Sequence, residues 1–135
     1  MSQMDIEELI SNFQFLDSWE EKYRYIIELG ESLPQMDESK KTPETKVEGC
    51  QSQVWFDFTK KENQFYFIAD SDSAIVKGLE AVLISLIDGK TAEQIKSLNI
   101  EDIFAQLGLS EHLSPTRRNG FFSMVNRIHQ IIDAS

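Results

Sequence analysis

Apolar residues recur along this chain in two rhythms, and the changes between them divide it into elements. Ile6, Leu9, Ile10 and Phe13 fall at helical spacing, which predicts an amphipathic helix from Asp5 to Phe15. Ser18-Trp19-Glu20-Glu21 has the S-x-x-E form in which a hydroxyl and a carboxylate satisfy the free N–H groups of a helix start. A second helix therefore begins there, with Trp19, Tyr23, Ile26, Ile27 and Leu29 on its buried side. Gly30 is its expected end signal, with a run-on to Ser32 as the alternative.

Pro34 through Pro43, with Asp37, Glu38, Lys40 and Lys41 between, breaks any regular pattern and predicts a surface loop. The period then becomes two. Val54, Phe56 and Phe58 alternate with Trp55, Asp57 and Thr59, the mark of a strand with one face on a core. Lys60-Lys61-Glu62-Asn63 is a polar turn, and Gln64 to Ala69 returns as the second strand of an antiparallel hairpin. Lys46-Val47-Glu48 is a candidate for a short third strand. So small a sheet is not stable alone, so helices are expected on one of its faces.

From Asp72 or Ser73 to Asp88 the residues are apolar almost all round, which predicts a central, buried helix. Gly78 in its interior costs up to about 1 kcal/mol relative to alanine, a cost offset if another element approaches closely there. Thr91-Ala92-Glu93-Gln94 is another capping box, opening a short helix through Ser97. Asn99 caps the next, which carries Ile103, Phe104 and Leu107 and stops at Gly108. Ser114-Pro115 starts the last helix, whose apolar face includes Phe121, Met124, Val125, Ile128 and Ile132. The sum is an α+β fold in one domain over residues 1–135: a helical pair, a small antiparallel sheet, and a helical C-terminal half.

The composition, 41% hydrophobic and 27% charged over 135 residues, is that of an ordinary folded protein large enough to bury a core without disulfides or metal. No apolar run approaches the length of a membrane span, and the opening residues lack the basic start of a secretory signal, so a cytoplasmic location is expected. The net charge of −10 opposes association with nucleic acid or anionic lipid. Only residues 111–135 are not acidic, and the excess elsewhere reads as solvated helix faces.

Cys50 is the only cysteine. It cannot form an internal disulfide or a CxxC pair, and a structural zinc or iron–sulfur site needs more ligands than one thiol supplies. Two readings remain: a nucleophilic or sulfur-carrying thiol, or a small buried hydrophobe. Gly49 lets the backbone turn with positive φ just before it, which puts Cys50 at the mouth of the first strand. Glu48 and the acidic field push the thiol above its usual pKa, so any reactivity has to be assembled in a complex. His112 and His129 lack partners at metal-ligand spacing and read as ordinary surface or helix-end residues. Asp88-Gly89-Lys90-Thr91 looks like the end of a phosphate loop, but Ile84 stands where that loop needs its first glycine. No carboxylate pair is marked out for hydrolysis.

Val47-Glu48-Gly49-Cys50-Gln51-Ser52-Gln53-Val54-Trp55 resembles the signature of the SufE/CsdE family of sulfur-acceptor proteins. Trp19-Glu20-Glu21-Lys22-Tyr23, the run Asp70 to Leu79, and Leu113-Ser114-Pro115-Thr116-Arg117-Arg118-Asn119-Gly120 match in the family's order. Gln51-Ser52-Gln53 is closer to the SufE branch, whereas Asp88-Gly89-Lys90-Thr91 is similar to CsdE. The resemblance implies a SufE/IscU-like fold and a role as acceptor and activator for a pyridoxal-phosphate-dependent cysteine desulfurase. Cys50 would take sulfane sulfur as a persulfide and relay it to an iron–sulfur scaffold complex. Gly49, Gln51, Asp72 and Arg117 would surround the sulfur or face the partner, and Arg118 would be solvated. Positive charge in the first turn of a helix is unfavourable for its dipole, so Arg117 is expected to meet an acidic group, in this chain or another. The cofactor would belong to the desulfurase, with none and no metal in this chain. Two alternatives stay open, a non-catalytic partner-binding module and an iron–sulfur scaffold, as does a homodimer.

Overall fold

A computed structural model of the chain describes residues 6–49 and 52–134. Helix α1 spans Ile6–Phe15 and α2 Trp19–Glu31. At the start of α2 the Glu21 N–H donates to Ser18 Oγ (3.2 Å), and the Ser18 hydroxyl donates to Glu21 Oε1 (3.3 Å). Gly30 does not end α2, which continues to Glu31 with Ser32 as its cap. Gly30 is buried against Gly78 instead: a Cβ on Gly30 would lie 2.7 Å from the Gly78 nitrogen, and one on Gly78 2.3 Å from the Ile26 carbonyl oxygen. The two helices thus meet backbone to backbone, and this contact offsets the propensity cost of Gly78.

Strands β1 (Val54–Lys61) and β2 (Gln64–Ser71) form an antiparallel hairpin paired from Val54↔Ser71 to Lys61↔Gln64. Its turn is tighter than the four polar residues suggested. Only Glu62 (φ 53°) and Asn63 (φ 69°) lie outside the strands, both left-handed, which is the backbone that follows the natural twist of a two-residue hairpin. The third strand is not Lys46-Val47-Glu48 but β3 (Lys90–Thr91), which pairs with β2 on the far side from β1. Asp88 Oδ1 accepts from the Phe67 N–H (2.7 Å), and the Gly89 N–H donates to the Phe65 carbonyl (2.6 Å), fixing the chain there. On the β1 side, Lys46 makes one isolated bridge to Trp55, and the turn at Gly49 ends the pairing after it.

Helix α3 (Ala74–Ile87) lies against the sheet face formed by Val54, Phe56, Phe65, Phe67 and Ala69. It is buried almost all round, as its sequence predicts, and one of its fully buried residues is charged in type, Glu80. Next come α4 (Ala92–Ser97), opened by the Thr91–Gln94 capping box, and α5 (Ile100–Gln106), capped by Asn99. Gly108, left-handed at φ 78°, ends this helix region and begins a four-residue helix absent from the expectation, α6 (Leu109–His112). Helix α7 (Pro115–Asp133) closes the core with Phe121, Met124, Val125, Ile128, Ile131 and Ile132. Among the described residues no helix is long and apolar enough to cross a membrane.

The Pro34–Pro43 segment is tied down more firmly than a surface loop. Met36 is buried, Glu38–Lys40 forms a 3-10 turn, and Lys41 bridges Glu38 (2.8 Å) and the buried Asp70 (3.1 Å) while lying over the Trp55 ring. Lys77 reaches the same carboxylate at 3.5 Å. Burial works to raise the pKa of Asp70, but the Ser71 N–H and the two lysines together hold it below the usual carboxylate value.

Candidate functional site

Cys50 and Gln51 lie outside the described residues, and so does the Cys50 titration expected from Glu48. The geometry that bears on them comes from the residues to either side. The Val47 N–H donates to the Val54 carbonyl (2.8 Å) and the Phe56 N–H to the Thr45 carbonyl (2.8 Å), so the chain is pinched shut at the base of residues 48–53. Val47 and Val54 are buried there, whereas Glu48, Gly49 and Gln53 are exposed.

Each arm of the pinched loop is held by a different element. On the leading arm Gly49 has φ 86°, a conformation that favours glycine, and a Cβ there would approach Ser123 Oγ of α7 to 2.7 Å, a contact the serine hydroxyl can turn away from. Arg127, one turn further along α7, donates to the Glu44 carbonyl. On the trailing arm the Gln53 N–H donates to Asp72 Oδ1 (3.1 Å) and the Asp72 N–H donates to the Gln53 carbonyl (3.2 Å). Asp72 thus acts as a latch between the loop and the entry to α3.

Ser73 follows as the cap of α3, and Arg117 Nη1 donates to its hydroxyl at 3.1 Å. Arg117 itself sits in the first turn of α7, where its N–H donates to Ser114 Oγ (3.3 Å). Its hydrogen-bond partner here is the neutral Ser73 hydroxyl, which leaves the other half of the expectation, an acidic group on another chain. The result is that the N-terminal ends of α3 and α7 come together with a guanidinium between them, three sources of positive potential in an acidic protein. Arg118, read from the sequence as solvated, is half-buried, and its Nε is enclosed without a hydrogen-bond partner.

Between α3 and α7 lies a cleft of about 210 Å³, walled by Val76, Leu79, Phe121 and Met124, with Ser52, Ser114, Thr116 and Arg117 around it. Ser52 brings the loop to this cleft, and Gly49 brings it to Ser123. Of the residues singled out in the sequence, Asp72 and Arg117 converge through Ser73, and Gly49 sits on the opposite arm. Sequence reasoning missed Ser123 and Arg127. Nothing in their spacing marks them, because they act on the loop from a helix far along the chain. Among the described residues no three His, Cys, Asp or Glu side chains gather where they could hold a metal ion.

A family model described as SufE, Fe-S metabolism associated domain, matches residues 7–132. The chain belongs to the SufE family. An uncharacterized SufE-like protein of Rhizobium etli is 46% identical over 129 residues, covering 93% of this chain and 87% of its own. Another from Rhizobium meliloti is 44% identical over 127 residues, covering 91% of each chain. The solution structure of a hypothetical protein from Thermus thermophilus superposes with a TM-score of 0.79 over 99% of this chain and 97% of that one, at 15% identity. That last likeness bears on the fold alone, which is α+β with a three-stranded antiparallel sheet. In this SufE-family chain the pinched loop, the Asp72 latch and the Arg117 cleft all lie within the matched region.

Proposed function

We propose that this chain accepts sulfane sulfur on Cys50 from a pyridoxal-phosphate-dependent cysteine desulfurase and relays it to an iron–sulfur assembly scaffold. In the step proposed, the Cys50 thiolate attacks the outer sulfur of a persulfide on the donor enzyme. A new S–S bond forms at Cys50, the donor's S–S bond breaks, and the donor cysteine leaves as a thiolate, so no external oxidant or reductant is needed. Delivery to the scaffold repeats the exchange, with Cys50 as the leaving thiolate.

Membership of a family associated with Fe-S metabolism supports this reading. The observation that carries it is the loop held at both arms beside a cleft that is apolar on its walls and positive at its rim. Two helix N-termini and Arg117 make the cleft favourable for an anionic sulfur brought to it. The apolar walls offer a newly received sulfur shelter from solvent thiols. Gly49, Gln51, Asp72 and Arg117 are assigned to placing the loop and its sulfur.

The test is to incubate the protein with cysteine and its cognate desulfurase and to weigh the intact chain with and without reductant. A reducible gain of one sulfur, absent in Cys50→Ala, is expected. No adduct beside an active desulfurase would overturn the proposal, and full stimulation of that enzyme by Cys50→Ser would identify a non-catalytic docking module instead.

A further inference from the structure

Away from the loop, the outer side of α2 carries a second surface. Trp19, Tyr23 and Ile27 follow one another at i, i+4 and i+8, half-buried, so the core covers this stripe on one side only. The Trp19 ring meets Tyr23 edge-on at 6.1 Å and stacks on His112 of α6 at 4.2 Å, which fixes the floor in place. Along the stripe run the exposed Glu20, Glu28 and Glu31, with Arg24 the one cation among the residues that line it. Together they form an open groove of about 860 Å³. His112 borders it, and Ser114, two residues on, lines the cleft beside the loop, so groove and cleft share the junction between α6 and α7.

We infer that this groove receives a short amphipathic helix of a partner protein, apolar on one side and flanked by lysine or arginine. This goes beyond the sulfur-transfer reading, since it adds a docking contact that needs no sulfur chemistry. The 13 residues of α2 present about 18 Å of floor, room for three turns of a partner helix. Three carboxylates against one guanidinium select a basic occupant, and the same charge disfavours an anionic lipid surface. A second copy of the chain is a poor occupant. Its least acidic helix, α7, already spends its apolar face on the core.

The probe is a blocked peptide of about 14 residues with leucine at i, i+4, i+7 and i+11 and lysine elsewhere. Its binding to the full chain is followed by Trp19 fluorescence in a Trp55→Phe background, at low salt. Saturable binding is expected, weakened about tenfold by Glu28→Lys with Glu31→Lys. Both residues are exposed, so the fold survives, and circular dichroism verifies it. Glu93→Lys on α4 should leave binding unchanged. Equal binding of a peptide with the leucines spread around the helix, or equal weakening by Glu93→Lys, would reduce the effect to net charge and overturn the inference. So would self-association lost on Tyr23→Ala with no peptide binding, which would make a second copy the occupant.

Discussion

Replacing Glu80 should stabilise the protein, and by more as the pH rises. The side chain is fully enclosed in α3 and neither carboxyl oxygen has a hydrogen-bond partner. Burial first, then the negative charge of Asp70, pushes its pKa from 4.5 up to about 10, with Lys77 pulling weakly the other way. Between those two values the folded chain holds a proton that the unfolded chain has released. Stability from this group is therefore complete below the unfolded pKa and drains away as the pH climbs toward the folded one. The slope is about 1.4 kcal/mol per pH unit, or about 4 kcal/mol between about pH 5 and 8. Glu80→Gln keeps the shape and removes the titration, and Glu80→Leu also removes the unpartnered polar atoms. Urea unfolding of wild type and both variants across that range reads the difference directly. The wild-type stability should fall steeply against Gln and Leu profiles that lack this slope. Parallel profiles for all three proteins would refute the reasoning, because they would mean that the buried carboxyl ionises as freely as it does in the unfolded chain.

Gly78→Ala drives a methyl group into the Ile26 carbonyl and should cost about 3 kcal/mol or more in chemical denaturation, far beyond the gain in helix propensity. Replacing Glu62-Asn63 with Asn-Gly suits two left-handed positions better and should stabilise the hairpin by about 0.5–1 kcal/mol, read as a rise in Tm. Asp72→Ala removes the acceptor for the Gln53 N–H at an exposed position, so it should lower global stability by no more than about 1 kcal/mol. The same variant should speed proteolytic nicking at residues 49–53 and slow sulfur uptake from the cognate desulfurase. Unchanged nicking would mean that Asp72 does not hold the loop.

The long elements were legible because each follows one period: three to four residues in α1, α2 and α7, two in β1 and β2. What the sequence hid was decided by contacts across the fold. Gly30 has the composition of a helix end, but the close approach of α3 requires it inside α2. Lys90 and Thr91 are too few to show any period, and they become a strand because Asp88 and Gly89 bond to the β2 backbone. Glu80 stands within an apolar run and gives no sign there that it stays buried without a partner. At the site, the glycine and the helix caps could be read locally. The link from Arg117 through Ser73 to Asp72, and the Arg127 anchor, appear only when α7 is laid against the start of α3 and the loop.

The glycine contact between α2 and α3 also bears on how force passes through the molecule. Where Gly30 meets Gly78 no side chain stands between the two backbones, so α2, whose outer side bears the acidic groove, and α3, which walls the cleft, are expected to shift together at that crossing. A displacement of α2 at the groove would then be expected to reach the wall of the cleft through that single crossing.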